Sequence, residues 1–294
     1  MELMHSLHFK RSTTAFCLFG LAAVALAQRA DVPYVPTPLK VVEAMLDAGR
    51  VTAADYLVDL GSGDGRVVIE AVKQRGARGT GIELDPNLVA TANAEAAREG
   101  IAAKAKFVSG NLFAFDFKDA TVITMYLLPH INLDLRPRIL NSLRPGTRIV
   151  SHDFDMGKWR PDLRREIAVP EKSYGPPVSQ VYLWYVPALA AGQWQWRMPA
   201  GDAGGSFQAT LRQTFQQLSG DLMIDGGAAA IQDVKLQGDA IELTAVREAG
   251  GRKHTYEFSG RIEGDKIAGR VRTGDDKTFE WLATRSARGQ MSIE

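Results

Sequence analysis

The stretch Val58-Asp59-Leu60-Gly61-Ser62-Gly63-Asp64-Gly65-Arg66 decides the fold. The strand-forming run Tyr56 to Leu60 ends in a loop with glycine at every second position, and a helix-like run, Arg66 to Lys73, follows at once. Glycines at that spacing let backbone N–H groups approach a ligand at the mouth of a helix, whose N-terminus favours negative charge. A strand, glycine loop and helix opening a β/α alternation mark a nucleotide-type cofactor site at the strand ends, although the same glycines also serve a plain tight turn. The dinucleotide fingerprint G-x-G-x-x-G wants a third glycine where Arg66 stands. Asp59, two residues before Gly61, suits a cationic ligand head better than a pyrophosphate.

Upstream, prolines 33, 36 and 38 enforce an extended segment, and Thr37-Pro38 is a cap-and-start signal for a helix whose apolar face is Leu39, Val42, Met45 and Leu46. Tyr34-Val35-Pro36 either belongs to that packing helix or folds over the cofactor as a lid. Downstream, Ile82 and Leu84 belong to a second strand with Glu83 at its carboxyl end, about 20 residues past the loop, where an acid accepts ribose hydroxyls. Asp85-Pro86 is a helix cap with proline in the first turn. Lys106 to Val108 reads as a third strand, and Asn111 just after it is placed either to contact an adenine edge or to close a turn.

Residues 120–126 are apolar on both faces, as a central parallel strand should be. They end at Leu127-Leu128-Pro129-His130. A helix over 132–143, bent or started by Pro137, leads to a fifth strand at 147–150 and then Ser151-His152-Asp153-Phe154-Asp155. Val181 to Val186 reads as a closing antiparallel strand at the edge. The expected fold is α/β: a doubly wound, Rossmann-like sheet over 31–188.

From about residue 190 the texture changes. Trp194/Trp196, Val234/Leu236, Ile241/Leu243/Ala245, Tyr256/Phe258 and Ile267/Val271 alternate with period two. Gly238-Asp239, Gly250-Gly251 and Gly264-Asp265 supply turns, so an antiparallel β domain is expected over 190–288. No catalytic constellation appears in it, which leaves partner or substrate binding as its expected role. Trp194 and Trp196 read as its core.

The chain of 294 residues has a net charge of +1 and is 45% hydrophobic, so no basic excess advertises nucleic acid as a partner. Lys10-Arg11, the apolar run Thr14 to Ala27 and the small residues before Gln28 read as a secretory signal peptide over 1–27. That run is short against the ~20 apolar residues of a membrane span, and an uncleaved anchor is the alternative. The sole cysteine, Cys17, lies inside it, so a processed chain has no thiol chemistry. His152-x-x-Asp155 offers only two ligands, so no metal site is expected.

Together these motifs resemble class I S-adenosylmethionine (SAM) methyltransferases. Within them they resemble the branch of protein-lysine enzymes acting on the ATP-synthase c-subunit and the adenine nucleotide translocase, with its prokaryotic relatives. The resemblance rests on Pro33-Tyr34-Val35-Pro36, Asp59 to Arg66 and Gly81-Ile82-Glu83-Leu84-Asp85-Pro86. It extends to Tyr126-Leu127-Leu128-Pro129 and to Val150-Ser151-His152-Asp153-Phe154 with Trp159-Arg160-Pro161. The resemblance implies SAM as cosubstrate, contacted by Asp59, Gly61, Gly63 and Glu83. The loop residues Ser62 and Gly65, with Asn111 and Tyr34, complete the expected cosubstrate site. It also implies a protein lysine, on a substrate that can be membrane-associated, as acceptor. Tyr126, His152 and Asp153 are the expected catalytic group, with His130 as another proton acceptor, although His130 and His152 serve equally as hydrogen-bond donors in their loops, and Asp59 is expected to hold the amino group of SAM. A small-molecule acceptor, or an exported binding module without catalysis, are the competing readings. Export to the periplasm conflicts with a cosubstrate made in the cytoplasm.

Overall fold

The structure is a computed structural model and describes residues 34–172, 175–199 and 204–294. The expected signal peptide, with Cys17, and Pro33 lie outside the described residues. No helix among the described residues is long and apolar enough to cross a membrane.

The first sheet is built from β1 (Tyr56–Leu60), β2 (Arg78–Glu83), β3 (Ala105–Ser109), β4 (Val122–Met125), β5 (Arg148–His152), β6 (Leu163–Ala168) and β7 (Val178–Tyr185), in the order β3-β2-β1-β4-β5-β7-β6. The first five are parallel, and β7 runs antiparallel to both β5 and β6. Helices α1 (Leu39–Ala48), α2 (Arg66–Arg75), α3 (Pro86–Arg98) and α4 (Pro129–Ser142) supply the connections and cover. Val122, Ile123 and Met125 are all but inaccessible, as expected for a strand apolar on both faces. Close helix packing on β2 depends on Gly79, where a Cβ would lie 2.7 Å from the side chain of Val68 on α2.

Three expectations need correction. The closing antiparallel strand is not the edge, because β6 lies outside it. Its sequence, Leu-Arg-Arg-Glu-Ile-Ala, leaves no position fully buried and so carries no alternation to detect. Helix α4 begins at Pro129, not 132, and accommodates Pro137 in its interior. Thr37 does not cap α1: Pro38 occupies the cap position with no side-chain hydrogen bond, and the threonine hydroxyl is used elsewhere.

The second sheet is a closed antiparallel barrel of β8 (Gly192–Met198), β9 (Gly205–Thr214), β10 (Gln217–Ile224), β11 (Gly227–Gln237), β12 (Ala240–Ala249), β13 (Arg252–Glu263), β14 (Lys266–Thr273) and β15 (Thr278–Arg288). Each strand pairs with the next, and β15 pairs with β8 to close the ring, so no long edge is left open. The β10–β11 loop, Asp225-Gly226, has φ +50° and +77°, a two-residue turn whose twist matches the strands it joins. Eight strands enclose an interior that side chains can fill. Here Trp194 and Trp196 are buried, with ring centroids 5.2 Å apart for Trp196–Phe207 and 4.9 Å for Phe258–Trp281. The chain then continues past the expected limit of 288 into β16 (Met291–Ser292), parallel beside β9.

The two sheets meet through the β9–β10 turn. Phe215, with φ +51° and 2% exposure, stacks on Trp159 at 6.1 Å and 9°, with the Arg136 guanidinium 5.3 Å from its ring.

Candidate functional site

Strand order reverses at β1, between β2 and β4, and in open α/β sheets ligands bind beyond the carboxyl ends of strands at such a point. Asp59 sits there, in register with Gly81 on β2 and Thr124 on β4. Its side chain is 4% exposed, and Oδ1 accepts a 2.7 Å hydrogen bond from the Thr124 hydroxyl. Burial pushes its carboxyl from 3.8 up to about 7; the Thr124 hydrogen bond opposes this, and the negative charges of Glu83 and Asp64 add to it. Such a carboxylate is short of positive charge, and a cationic ligand group would supply it.

Glu83 ends β2 and reaches across to the loop. Its Oε2 accepts from Gly63 N at 2.9 Å, and Oε1 accepts from Leu84 N at 2.7 Å and Asp85 N at 3.0 Å. Asp59 and Glu83 therefore lie at one rim, on adjoining strands, near enough for the charge of Glu83 to act on Asp59.

The glycine loop differs from what its spacing suggests. Gly61 N and Ser62 N both donate to Ile82 O at 2.9 Å, and Gly65 N donates to Ser62 O at 2.9 Å. With Gly63 N on Glu83, these four N–H groups are engaged within the protein and are not donors for a ligand. The glycines are required instead by conformation and contact. Residues 61, 63 and 65 have φ +79°, +52° and +82°, and a Cβ on Gly63 would lie 2.5 Å from the Tyr34 ring. Ser62 packs against Gly81, and its buried hydroxyl has no hydrogen-bond partner.

Tyr34, 48% exposed, thus lies over the loop rather than within the α1 packing. Burial raises its phenol, with the Asp64 carboxylate adding to the shift. Asp64 is bound by Arg66 through Nε at 2.9 Å; burial works against its ionised form, but that hydrogen bond and charge prevail and hold its carboxyl low. Asn111 follows β3 as expected, but its Oδ1 accepts from Phe113 N at 2.9 Å and closes a turn.

Tyr126 follows β4, with its ring centroid 3.9 Å from that of His152 and 6.1 Å from that of Phe154. His152 is fully buried. Its Nδ1 lies 3.2 Å from the Thr37 hydroxyl and its Nε2 2.9 Å from the Ser179 hydroxyl. Burial drives the imidazole down to about 4, against the nearby Asp153 carboxylate and with help from the Lys172 charge. Asp153, at φ +58°, accepts from Gln180 N at 2.8 Å and pairs with Lys172 Nζ at 2.7 Å. His152 is therefore adjacent to Tyr126, with Asp153 next to it in the chain, and both are already held by partners, a geometry that favours support over proton acceptance. His130 is exposed on the first turn of α4.

Several contributors escape sequence reasoning. Thr124 is one of many apolar-strand residues until the register sets it against Asp59. Asn132, fully buried on α4, donates through Nδ2 to Phe154 O at 3.2 Å and Asp155 O at 3.3 Å, fixing the loop after β5. Phe154 is legible only once its ring is seen beside Tyr126. Among the described residues, no cluster of three or more His, Cys, Asp or Glu could hold a metal ion.

A family model described as the ANTKMT methyltransferase domain matches residues 59–163. A protein-lysine N-methyltransferase of Saccharolobus islandicus is 43% identical over 131 residues, covering 44% of this chain and 81% of that protein. The human ATP synthase c-subunit lysine N-methyltransferase is 34% identical over 130 residues, and the chain spans 55% of its length and 44% of its own. The mouse adenine nucleotide translocase lysine N-methyltransferase is 35% identical over 134 residues, 45% of this chain and 58% of that one. Among solved structures, a Salinibacter ruber protein described as an RNA methyltransferase in complex with S-adenosyl-L-homocysteine is 48% identical, with a TM-score of 0.47. That match covers 52% of this chain and 94% of that one.

Proposed function

Given that the chain belongs to the ANTKMT methyltransferase family, we propose that it transfers a methyl group to the side-chain amine of a protein lysine. It is an SAM-dependent methyltransferase, and SAM is its cosubstrate. The observation that carries the reading is the pair of carboxylates at the switch point, one buried and short of a counter-charge, the other holding the glycine loop in place. SAM has the matching chemistry: an ammonium for Asp59 and a ribose hydroxyl for the lone pair left on Glu83 Oε2. Gly61, Ser62, Gly63 and Gly65 shape the floor of the site, Tyr34 lies above it, and Asn111 borders it from the β3 side.

When bound, SAM supplies an electrophilic methyl on a sulfonium. The chain's share is alignment and a neutral acceptor amine. Holding the reacting atoms about 3–3.5 Å apart can provide much of the acceleration. A lysine amine ordinarily titrates near 10.4, and an apolar, aromatic wall of Tyr126, Phe154 and Pro129 lowers that by disfavouring the charged form. Tyr126 faces the acceptor. His152, neutral and fixed at both nitrogens, positions that ring, and the Lys172-bound Asp153 secures the turn that carries it. The three lysine-methyltransferase relatives support a protein acceptor, and two of them carry a protein substrate in their names. A membrane-associated acceptor is part of the proposal, as is export by residues 1–27 to the periplasm, or anchoring by them. Partner binding is the role proposed for the barrel.

The test is to incubate the full chain with tritiated SAM and a total membrane extract. A labelled protein band whose label resides on lysine, and which is lost with Glu83→Ala, is expected. Label confined to small molecules would support a small-molecule acceptor. No heat on titrating SAM to millimolar concentration would support a non-catalytic binding module.

A further inference from the structure

The segment before α1 is fastened at one residue from two sides. Thr37 is 6% exposed. Its carbonyl accepts a 2.9 Å hydrogen bond from Arg66 Nη1, at the start of α2, and its hydroxyl lies 3.2 Å from His152 Nδ1, at the end of β5. These attachments come from opposite sides of β1 in the strand order, because α2 follows the glycine loop while β5 lies beyond β4. Three residues earlier, the Tyr34 ring rests against Gly63, where an added Cβ would lie 2.5 Å from it. The rest of the Arg66 guanidinium is engaged by Asp64, which holds it in the orientation that meets Thr37 O. His152 is fixed in turn by Ser179, and its ring lies tilted against Tyr126 with centroids 3.9 Å apart.

We propose that Thr37 is the latch of a strap over the SAM site, with Arg66 and His152 as its two posts. Thr37 and Arg66 are then positioning residues for the cosubstrate: they hold Tyr34 over the loop and slow the departure of SAM. His152 is a post shared with the acceptor side, so the strap and the Tyr126 ring are placed by one imidazole. The arrangement also accounts for Arg66 standing where a dinucleotide site has glycine. The position serves a side chain that reaches back over the loop, not a third tight turn.

The inference rests on the reading of this chain as an SAM enzyme, and calorimetric titration of the full chain with SAM separates the two. Thr37→Val keeps the shape and removes the hydroxyl. It is expected to weaken SAM binding about fivefold, the effect of one hydrogen bond worth about 1 kcal/mol, through faster dissociation measured by stopped-flow. Thr37→Ser is expected to restore the wild-type value. Arg66→Lys keeps the charge but loses the fork that joins Asp64 to Thr37 O, and about tenfold weaker binding is expected. Independently of any ligand, the His152 ring nitrogen resonances should shift in Thr37→Val and not in Thr37→Ser. Wild-type SAM affinity and dissociation rate in Thr37→Val, or unchanged His152 resonances, would overturn the latch. A wild-type chain that binds no SAM would instead overturn the function on which it rests.

Discussion

Asp59→Asn should make the protein more stable at pH 8 while destroying its affinity for SAM. The carboxyl is pushed up to about 7 from 3.8. At 1.36 kcal/mol per unit, ionising it in the folded protein costs at most about 4 kcal/mol more than in the unfolded chain. The sign follows from proton counts. Between roughly pH 4 and 7 the folded state keeps a proton that the unfolded state releases, so this group makes stability fall as pH rises and has its full cost above 7. Asparagine is nearly isosteric and neutral, and its Oδ1 still accepts from the Thr124 hydroxyl. The variant should therefore exceed wild type by about 2–4 kcal/mol at pH 8 but by at most about 1.6 kcal/mol at pH 5, which is only about one unit above the pKa of the unfolded carboxyl.

Wild type alone would not reveal this. His152, held down to about 4, takes up its proton on unfolding and makes stability rise with pH between about 4 and 6.5, nearly cancelling the Asp59 slope. The difference between the two proteins removes that contribution, since both contain His152. The assay is urea unfolding of the full chain at pH 5 and pH 8, followed by tryptophan fluorescence, to which Trp159 and Trp184 in the first sheet's core contribute together with Trp194, Trp196 and Trp281 in the barrel. An Asn variant no more stable than wild type at pH 8, or equally offset at both pH values, would refute the claim that Asp59 is a buried charge awaiting a cation.

The same carboxyl sets the pH dependence of cosubstrate binding. SAM affinity should fall about tenfold per unit below pH 7 and level off above it, with proton release on binding near neutrality seen by calorimetry in buffers of different ionisation enthalpy. If Tyr126 lines the acceptor side as proposed, Tyr126→Ala should lower the rate of methyl transfer by at least tenfold while the SAM dissociation constant stays within about threefold; radiometric transfer and calorimetry together test this. Phe215→Ala should destabilise the protein by about 3 kcal/mol by removing a buried ring from Trp159, read as a lower urea midpoint by tryptophan fluorescence.

Local chemistry was enough to read much of this protein from its sequence. The Asp59 to Arg66 loop, Glu83 one strand later and the Asp85-Pro86 cap are short-range patterns, each dictated by backbone sterics or by the strand-then-helix alternation. They led to the Rossmann-like sheet and to the carboxylate pair. Period-two apolarity and glycine turns likewise disclosed an antiparallel β domain. Only the tertiary structure closed that domain into a ring, because the β15–β8 pairing joins residues some 90 positions apart in sequence. Only the structure inserted β7 inside β6, whose exposed residues leave no periodic trace. It also turned the loop amides inward and set the His152 ring between the Thr37 and Ser179 hydroxyls. Which partner a donor or imidazole meets depends on strand register and on side chains from distant segments such as Thr37 and Ser179, and local sequence carries no record of those distances.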